Sequence, residues 1–254
     1  MKNTIKKLTI GIFAGICLSI SVNAEDIRVL GAASLKYVLE DIKSDFLKNR
    51  PNDKIEISYI SSGKAFAQIQ NGAPVHLFVS ADTDYPAKLF QNKLAPNKEE
   101  VYAKGKLVLW SNNKRFKITK FEDILNNDIK HISIPNPKVA PYGRASMEAL
   151  ESTNMLKDVK DKFVTGESIG AATTYVESNN AEVGFTALSM LGEGGINTPT
   201  MSFIAIDEKL YEPIKQALII TNFGKDSKLA SEFKDYILSN EAKEKFIKFG
   251  YSVE

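Results

Sequence analysis

Short runs of alternating or continuous apolar residues recur along the chain, and between them lie longer stretches with apolar positions every three or four residues. The first pattern is that of a strand with one or both faces covered, the second that of a helix with one apolar stripe. The strand pattern predicts strands at 27–30, 55–60, 77–80, 106–110, 131–134, 183–186, 201–206 and 216–221. The helix pattern predicts helices at 35–48, 65–71, 84–91, 121–125, 144–152, 170–177, 227–239 and 241–249. Regular alternation of the two is the pattern of an α/β fold with largely parallel sheets. No internal repeat, low-complexity tract or heptad interrupts it. Gly and Pro cluster at 135–143 and 191–199, which read as loops inside a domain, not as linkers. If the chain forms two lobes, it must pass between them through short strands.

Two strand-to-helix junctions carry the strongest chemical signal. Ile55, Ile57 and Tyr59 lead into Ser61-Ser62-Gly63 and then directly into a helix-forming segment. Likewise the run IRVL passes through Gly31-Ala32-Ala33-Ser34 into LKYVLEDI. The first N–H groups of a helix have no intrahelical acceptor, so such a junction attracts anions, and a serine there adds a hydroxyl donor. A single serine at a helix start is as readily a cap. Two such units in one secreted chain suggest capture of a small anion.

Secretion is expected from residues 1–24. Lys2, Lys6 and Lys7 form a basic start, an apolar stretch follows from Leu8, and Val22-Asn23-Ala24 is a small-residue cleavage site. The apolar stretch is short for a membrane span. Cys17 raises a lipoprotein alternative, against which stands the bulky Ile16 just before it. Cleavage after Ala24 removes the only cysteine, leaving no disulfide, thiol nucleophile or cysteine metal ligand. It also removes three lysines and no acid from a formal charge of +2, leaving 30 basic against 31 acidic side chains. That balance favours neither nucleic acid nor a membrane surface as a partner.

Five motifs occur in order along the mature chain: AASL from Ala32, SSG-x-x-x-x-Q-I-x-x-GAP from Ser61, FVSAD from Phe78, APYG from Ala140 and GFTALS from Gly184. Together they resemble the periplasmic molybdate-binding proteins of molybdate ABC transporters, the ModA family. The resemblance implies a two-lobed periplasmic binding protein of type II with its ligand in the inter-lobe cleft. Lobe one would comprise 25–103 and 220–254, lobe two 104–219. The implied function is periplasmic capture of molybdate, and of tungstate with it, for delivery to an ABC importer. No cofactor, no enzymatic activity and a monomeric state are expected, with the permease of the importer as partner. Another oxyanion such as sulfate, or a non-transport sensor of the same fold, is the alternative.

The family holds its anion with neutral donors, and the resemblance assigns them here to Ser34, Ser62, Tyr142, Ile169 and the position of Ala187. Ser34 and Ser62 would each give a hydroxyl and a nearby backbone N–H, Tyr142 and Ile169 their main-chain N–H groups. Some members carry a ligating tyrosine where Ala187 stands. Either the Tyr142 phenol substitutes for it, or the site has one donor fewer. Lys36, Lys64 and Arg144 follow three of the helix starts and either raise the local potential or are simply solvated. An enzyme would need an imidazole base or a catalytic signature. His76 and His131 sit at strand starts as packing or edge residues, and Asp82 reads as a helix cap or lobe-packing acid.

Overall fold

The computed structural model describes residues 24–192 and 194–253, so the signal peptide expected over 1–24 and the Cys17 alternative lie, Ala24 apart, outside the described residues. The elements run β1 (Asp26–Ala32), a 3-10 turn (Ala33–Leu35), α1 (Lys36–Leu47), β2 (Lys54–Ile60), α2 (Ser62–Gln70), β3 (Leu77–Val79), α3 (Asp84–Gln91), β4 (Glu100–Gly105) and β5 (Leu107–Ser111). They continue with β6 (Ile132–Pro135), α4 (Pro141–Ser152), α5 (Leu156–Val159), β7 (Phe163–Gly166), α6 (Ile169–Glu177), β8 (Val183–Ala187), β9 (Ser202–Ala205), β10 (Ile214–Ile220), α7 (Lys228–Ile237) and α8 (Asn240–Lys248).

Two five-stranded sheets result, ordered β2-β1-β3-β10-β4 and β7-β6-β8-β5-β9. Each has a parallel trio at one side, β2-β1-β3 and β7-β6-β8. Each is completed by antiparallel strands, β10 and β4 in the first and β5 and β9 in the second. The sheets are therefore mixed, not largely parallel. A parallel neighbour requires a crossover of a dozen or more residues. The chain steps from β4 in the first sheet into β5 in the second through Lys106 alone and returns after β9 through a short 3-10 turn, Glu208–Leu210, into β10. β10 runs in the first sheet from Ile214 onward, six residues before the lobe boundary expected at 220.

Helices cover both sheets, and the principal core is continuous from Ile27 and Leu39 of the first lobe to Phe185 and Met190 of the second. The C-terminal helix α8 belongs to the first lobe and carries Phe246, which is fully buried. Its ring lies 5.1 Å from Tyr102 and 5.4 Å, edge-on, from Tyr251. Both tyrosines stand directly behind the cleft described below, so this aromatic cluster ties the end of the chain to the functional surface. Phe246→Ala should lower the free energy of unfolding by about 3–5 kcal/mol. Urea denaturation followed by circular dichroism checks it, and a loss under 1 kcal/mol would mean that the cluster closes over the gap.

Candidate oxyanion site between the lobes

Four chain segments reach the junction of the two lobes at the C-terminal ends of strands. β1 ends in Ala32 and continues into the 3-10 turn that carries Ser34, one turn before α1 begins. A helix opening at Ser34 itself is thus replaced by a tighter turn followed by α1. β2 delivers Ser61 in an extended conformation (φ −68°, ψ 146°) and Ser62 as the first residue of α2. α4 opens at Pro141, with Tyr142 in its first turn; proline suits that place because its missing N–H would have no partner there anyway. α6 opens at Ile169 behind Ser168, whose hydroxyl accepts from the Ala171 N–H at 3.2 Å and so caps the helix.

These segments line a tight gap whose free volume is about 10 Å³. Ala32, Ala33 and Ser34 form one side, Ile60, Ser61, Ser62 and Ala81 the next, and Ala140, Pro141, Tyr142 and Ile169 of the second lobe close it. Four of the five residues singled out from the sequence therefore meet here. Ala187 does not line the cavity: it ends β8, paired with Leu107 and fully buried. A methyl group there has neither the reach nor the chemistry of a donor.

No side chain of the lining carries a charge, and the polar groups present are hydroxyls. The Ser34 and Ser61 hydroxyls are buried and complete no hydrogen bond within the protein. Ser61 sits where a serine usually caps its helix, yet it makes no side-chain cap bond. The Ser62 hydroxyl accepts from the Ala81 N–H at 3.0 Å, which fixes its oxygen and leaves its hydrogen to donate. The Ser34 carbonyl is held from two sides, by Ser189 Oγ at 2.8 Å and Tyr251 Oη at 3.0 Å, which pins the turn that bears the hydroxyl. Tyr142 is buried, and burial pushes its phenol well above the usual tyrosine range against the pull of the neighbouring Gln216 and Ser34. It stays protonated at any working pH and is a donor in kind.

The lobes meet around this cavity in a closed arrangement. The Gly63 N–H donates to the Val139 carbonyl at 2.9 Å, so one helix-start donor of α2 is spent on the opposite lobe. Lys64 pairs with Glu167 across the mouth. Arg144 Nη2 lies 2.6 Å from Asp82 Oδ2. Burial raises the Asp82 carboxyl above the usual aspartate range even though Arg144, the Tyr85 N–H and the Ser80 hydroxyl all favour its ionised form. Asp82 thus caps α3 through Tyr85 and bridges the lobes through Arg144. Lys64 and Arg144 face acids of the other lobe, not the cavity, while Lys36 is exposed beside the Tyr37 ring. His76 accepts from the Arg28 N–H at 3.0 Å and stacks edge-on against Phe223, and His131 lies 3.7 Å from Glu182. Neither histidine lines the cavity.

The comparisons with known proteins bear on the family and the fold. Residues 27–252 match the family model described as bacterial extracellular solute-binding protein. The chain is 34% identical to the molybdate-binding protein ModA of Azotobacter vinelandii over 255 residues, covering all of both chains. It is 32% identical to ModA of Rhodobacter capsulatus, over 93% of this chain and 92% of that one. The chain belongs to the ModA family of solute-binding proteins. Among solved structures, the periplasmic molybdate-binding protein of Azotobacter vinelandii superposes with a TM-score of 0.83 at 31% identity, over 90% of this chain and 99% of that chain.

Within this ModA-family fold, one hydroxyl of the cavity lining is not among the residues singled out from the sequence. Ser61 reads as part of the Ser61-Ser62-Gly63 junction, in which the resemblance assigns only Ser62 to the anion, yet its hydroxyl is the one left unpartnered. Only the turn geometry separates the two, since Ser62 Oγ is drawn to Ala81. The cross-cleft ion pair yields a testable consequence. Removing one partner of a buried pair costs about 3–5 kcal/mol; with Arg144 still 35% exposed, Arg144→Met should cost at or below the lower end of that range. Urea denaturation measures the loss, and small-angle scattering should report a larger radius as the lobes part. An unchanged radius with unchanged stability would show that Asp82 is satisfied by Ser80 and Tyr85 alone.

Proposed function

We propose that this protein captures molybdate, and tungstate with it, in the closed cleft and hands it to the permease of an ABC importer from the periplasm. The observation that carries the reading is the pair of buried, unpartnered hydroxyls, Ser34 and Ser61, facing a cavity whose lining bears no charge. Buried polar groups in folded proteins almost always have partners. A ligand that supplies only acceptors satisfies hydroxyls and helix N–H groups together.

A tetrahedral dianion fits that requirement. Hydrogen bonds to a charged group contribute about 1.5–3 kcal/mol each. Ser34, Ser61, Ser62, Tyr142 and the main-chain N–H groups at the starts of α2, α4 and α6 together offset the desolvation of such an ion. The positive ends of those helices add to the effect without a buried cation. Phosphate keeps a proton near neutral pH and needs an acceptor, which the lining does not offer. Sulfate presents only acceptors but is smaller, so donors spaced for the larger tetrahedron do not all reach it. The protein acts as a monomeric receptor without catalysis: closure around the ion presents surfaces of both lobes to the permease.

Calorimetric titration of the mature protein, freed of bound anion, tests this. Molybdate and tungstate should each bind one-to-one and tightly, with no heat from sulfate or phosphate; sulfate binding of equal strength would move the assignment to that ion. Ser62→Asp should abolish molybdate binding, because a carboxylate would set an acceptor and a negative charge against the anion. Retained tight binding in that variant would take Ser62 out of the site.

A further inference from the structure

Beside the anion site the two lobes touch through their backbones, at Gly63 of α2 and Val139 just before α4. The Gly63 N–H donates to the Val139 carbonyl at 2.9 Å, and the glycine is buried. A Cβ at position 63 would stand 3.0 Å from Val139 Cα across the cleft and 2.6 Å from Tyr85 Oη on its own lobe. The Tyr85 hydroxyl is the far end of a side chain that can turn away. Val139 Cα is backbone and can retreat only together with its lobe. Carbon atoms settle at about 3.5–4.0 Å, so a methyl group at position 63 would hold the second lobe back by about 0.5–1 Å.

No conformational demand calls for glycine at this place. Gly63 is the second residue of α2 and is not among the glycines with positive φ, and alanine is the better helix former. What the position lacks is room towards the other lobe. The opposite flank of the cleft is less crowded. There Gly170 of α6 faces Ala33, and a Cβ on Gly170 would lie 3.4 Å from the Ala33 Cβ, an ordinary contact.

We propose that Gly63 is a positioning residue that sets how far the lobes close, and so how closely the donors of one lobe approach an anion held by the other. The inference rests on the oxyanion reading above. Ser62 directly precedes Gly63, and Ala140, Pro141 and Tyr142 directly follow Val139, so the lobe contact is flanked on both sides by residues that line the gap. A hydrogen bond to oxygen is good only over a span of about half an ångström. Backing one lobe off by the width that a methyl group needs takes the donors at the start of α4 out of reach of an ion seated on Ser34 and Ser62. The side chain missing from position 63 is what lets donors of both lobes meet on one small ion.

The test is molybdate affinity, read by calorimetry, for wild type, Gly63→Ala, Tyr85→Ala and the double variant. Tyr85→Ala removes the crowding within the lobe and leaves that by Val139. A lost hydrogen bond to a charged ligand corresponds to about 10- to 100-fold in affinity, and Gly63→Ala should weaken binding by that factor in both backgrounds. In the Tyr85→Ala background it should leave the urea midpoint of the anion-free protein unchanged or raised, because the lobes part without the ion and alanine suits the helix. The amide hydrogen of residue 63 should be protected from exchange in molybdate-saturated wild type and exposed in saturated Gly63→Ala. Wild-type affinity in Gly63→Ala, a loss that vanishes in the Tyr85→Ala background, a lowered midpoint there, or continued protection of that amide would each overturn the proposal. Absence of molybdate binding by the wild type overturns the function itself and this inference with it, whereas binding that Gly63→Ala leaves intact overturns the inference alone.

Discussion

A hydroxyl taken out of water without a partner costs about 1–3 kcal/mol, and this fold holds two of them, Ser34 and Ser61, at the place where its two lobes meet. Much of the surrounding structure keeps them there. The Ser34 turn is pinned through its carbonyl by Ser189 from one lobe and Tyr251 from the C-terminus of the chain. Ser62 is anchored by the Ala81 N–H, which sets the start of α2 and leaves Ser61 turned away from the usual capping bond. The cost of the bare hydroxyls is therefore carried by neighbours that are themselves well satisfied.

The crossings between lobes impose the second constraint. The chain crosses between the sheets from β4 to β5 through one residue and back into β10 through a short 3-10 turn, Glu208–Leu210, and each sheet sets antiparallel strands beside its parallel trio. Those same crossing strands bear the groups behind the cleft: Tyr102 and Gly105 on β4, and Gln216 on β10. Relative movement of the lobes must bend the chain near these residues. The hydrogen bonds between Gln216 and the phenols of Tyr142 and Tyr102 thus lie where opening and closing are felt first, and the Asp82–Arg144 pair lies on the opposite lobes of the same joint.

Most of the elements were legible because their periods are strong. Asp84–Gln91 appears as expected, and the other helices predicted in the first and last quarters differ by a few residues at their ends. β7 escaped because four residues, FVTG, half-exposed at a sheet edge, carry no readable alternation. β4 escaped for a different reason: its bulge buries Tyr102 and Ala103 in succession and breaks the period on which a strand is recognised. Ser34, Ser62, Tyr142 and Ile169 were legible through motifs at junctions. Ser61 and Gln216 were not, since nothing local distinguishes a serine that caps from one that does not, or a buried glutamine from an exposed one at a strand start.

The contrast between those two groups has a physical origin. Residues at a junction announce themselves because the backbone there needs particular types: a small residue before a turn, a proline in the first helical turn, a glycine where chains approach. Buried polar residues that bond to one another across the joint answer to a partner far along the sequence, 74 positions away for Gln216 and Tyr142. Their identity is fixed by the direction of a hydrogen bond rather than by local conformation. A binding site made of neutral donors depends on such directions more than a charged one does, because a hydroxyl can present either a hydrogen or a lone pair to the same ion, and only its other neighbours decide which.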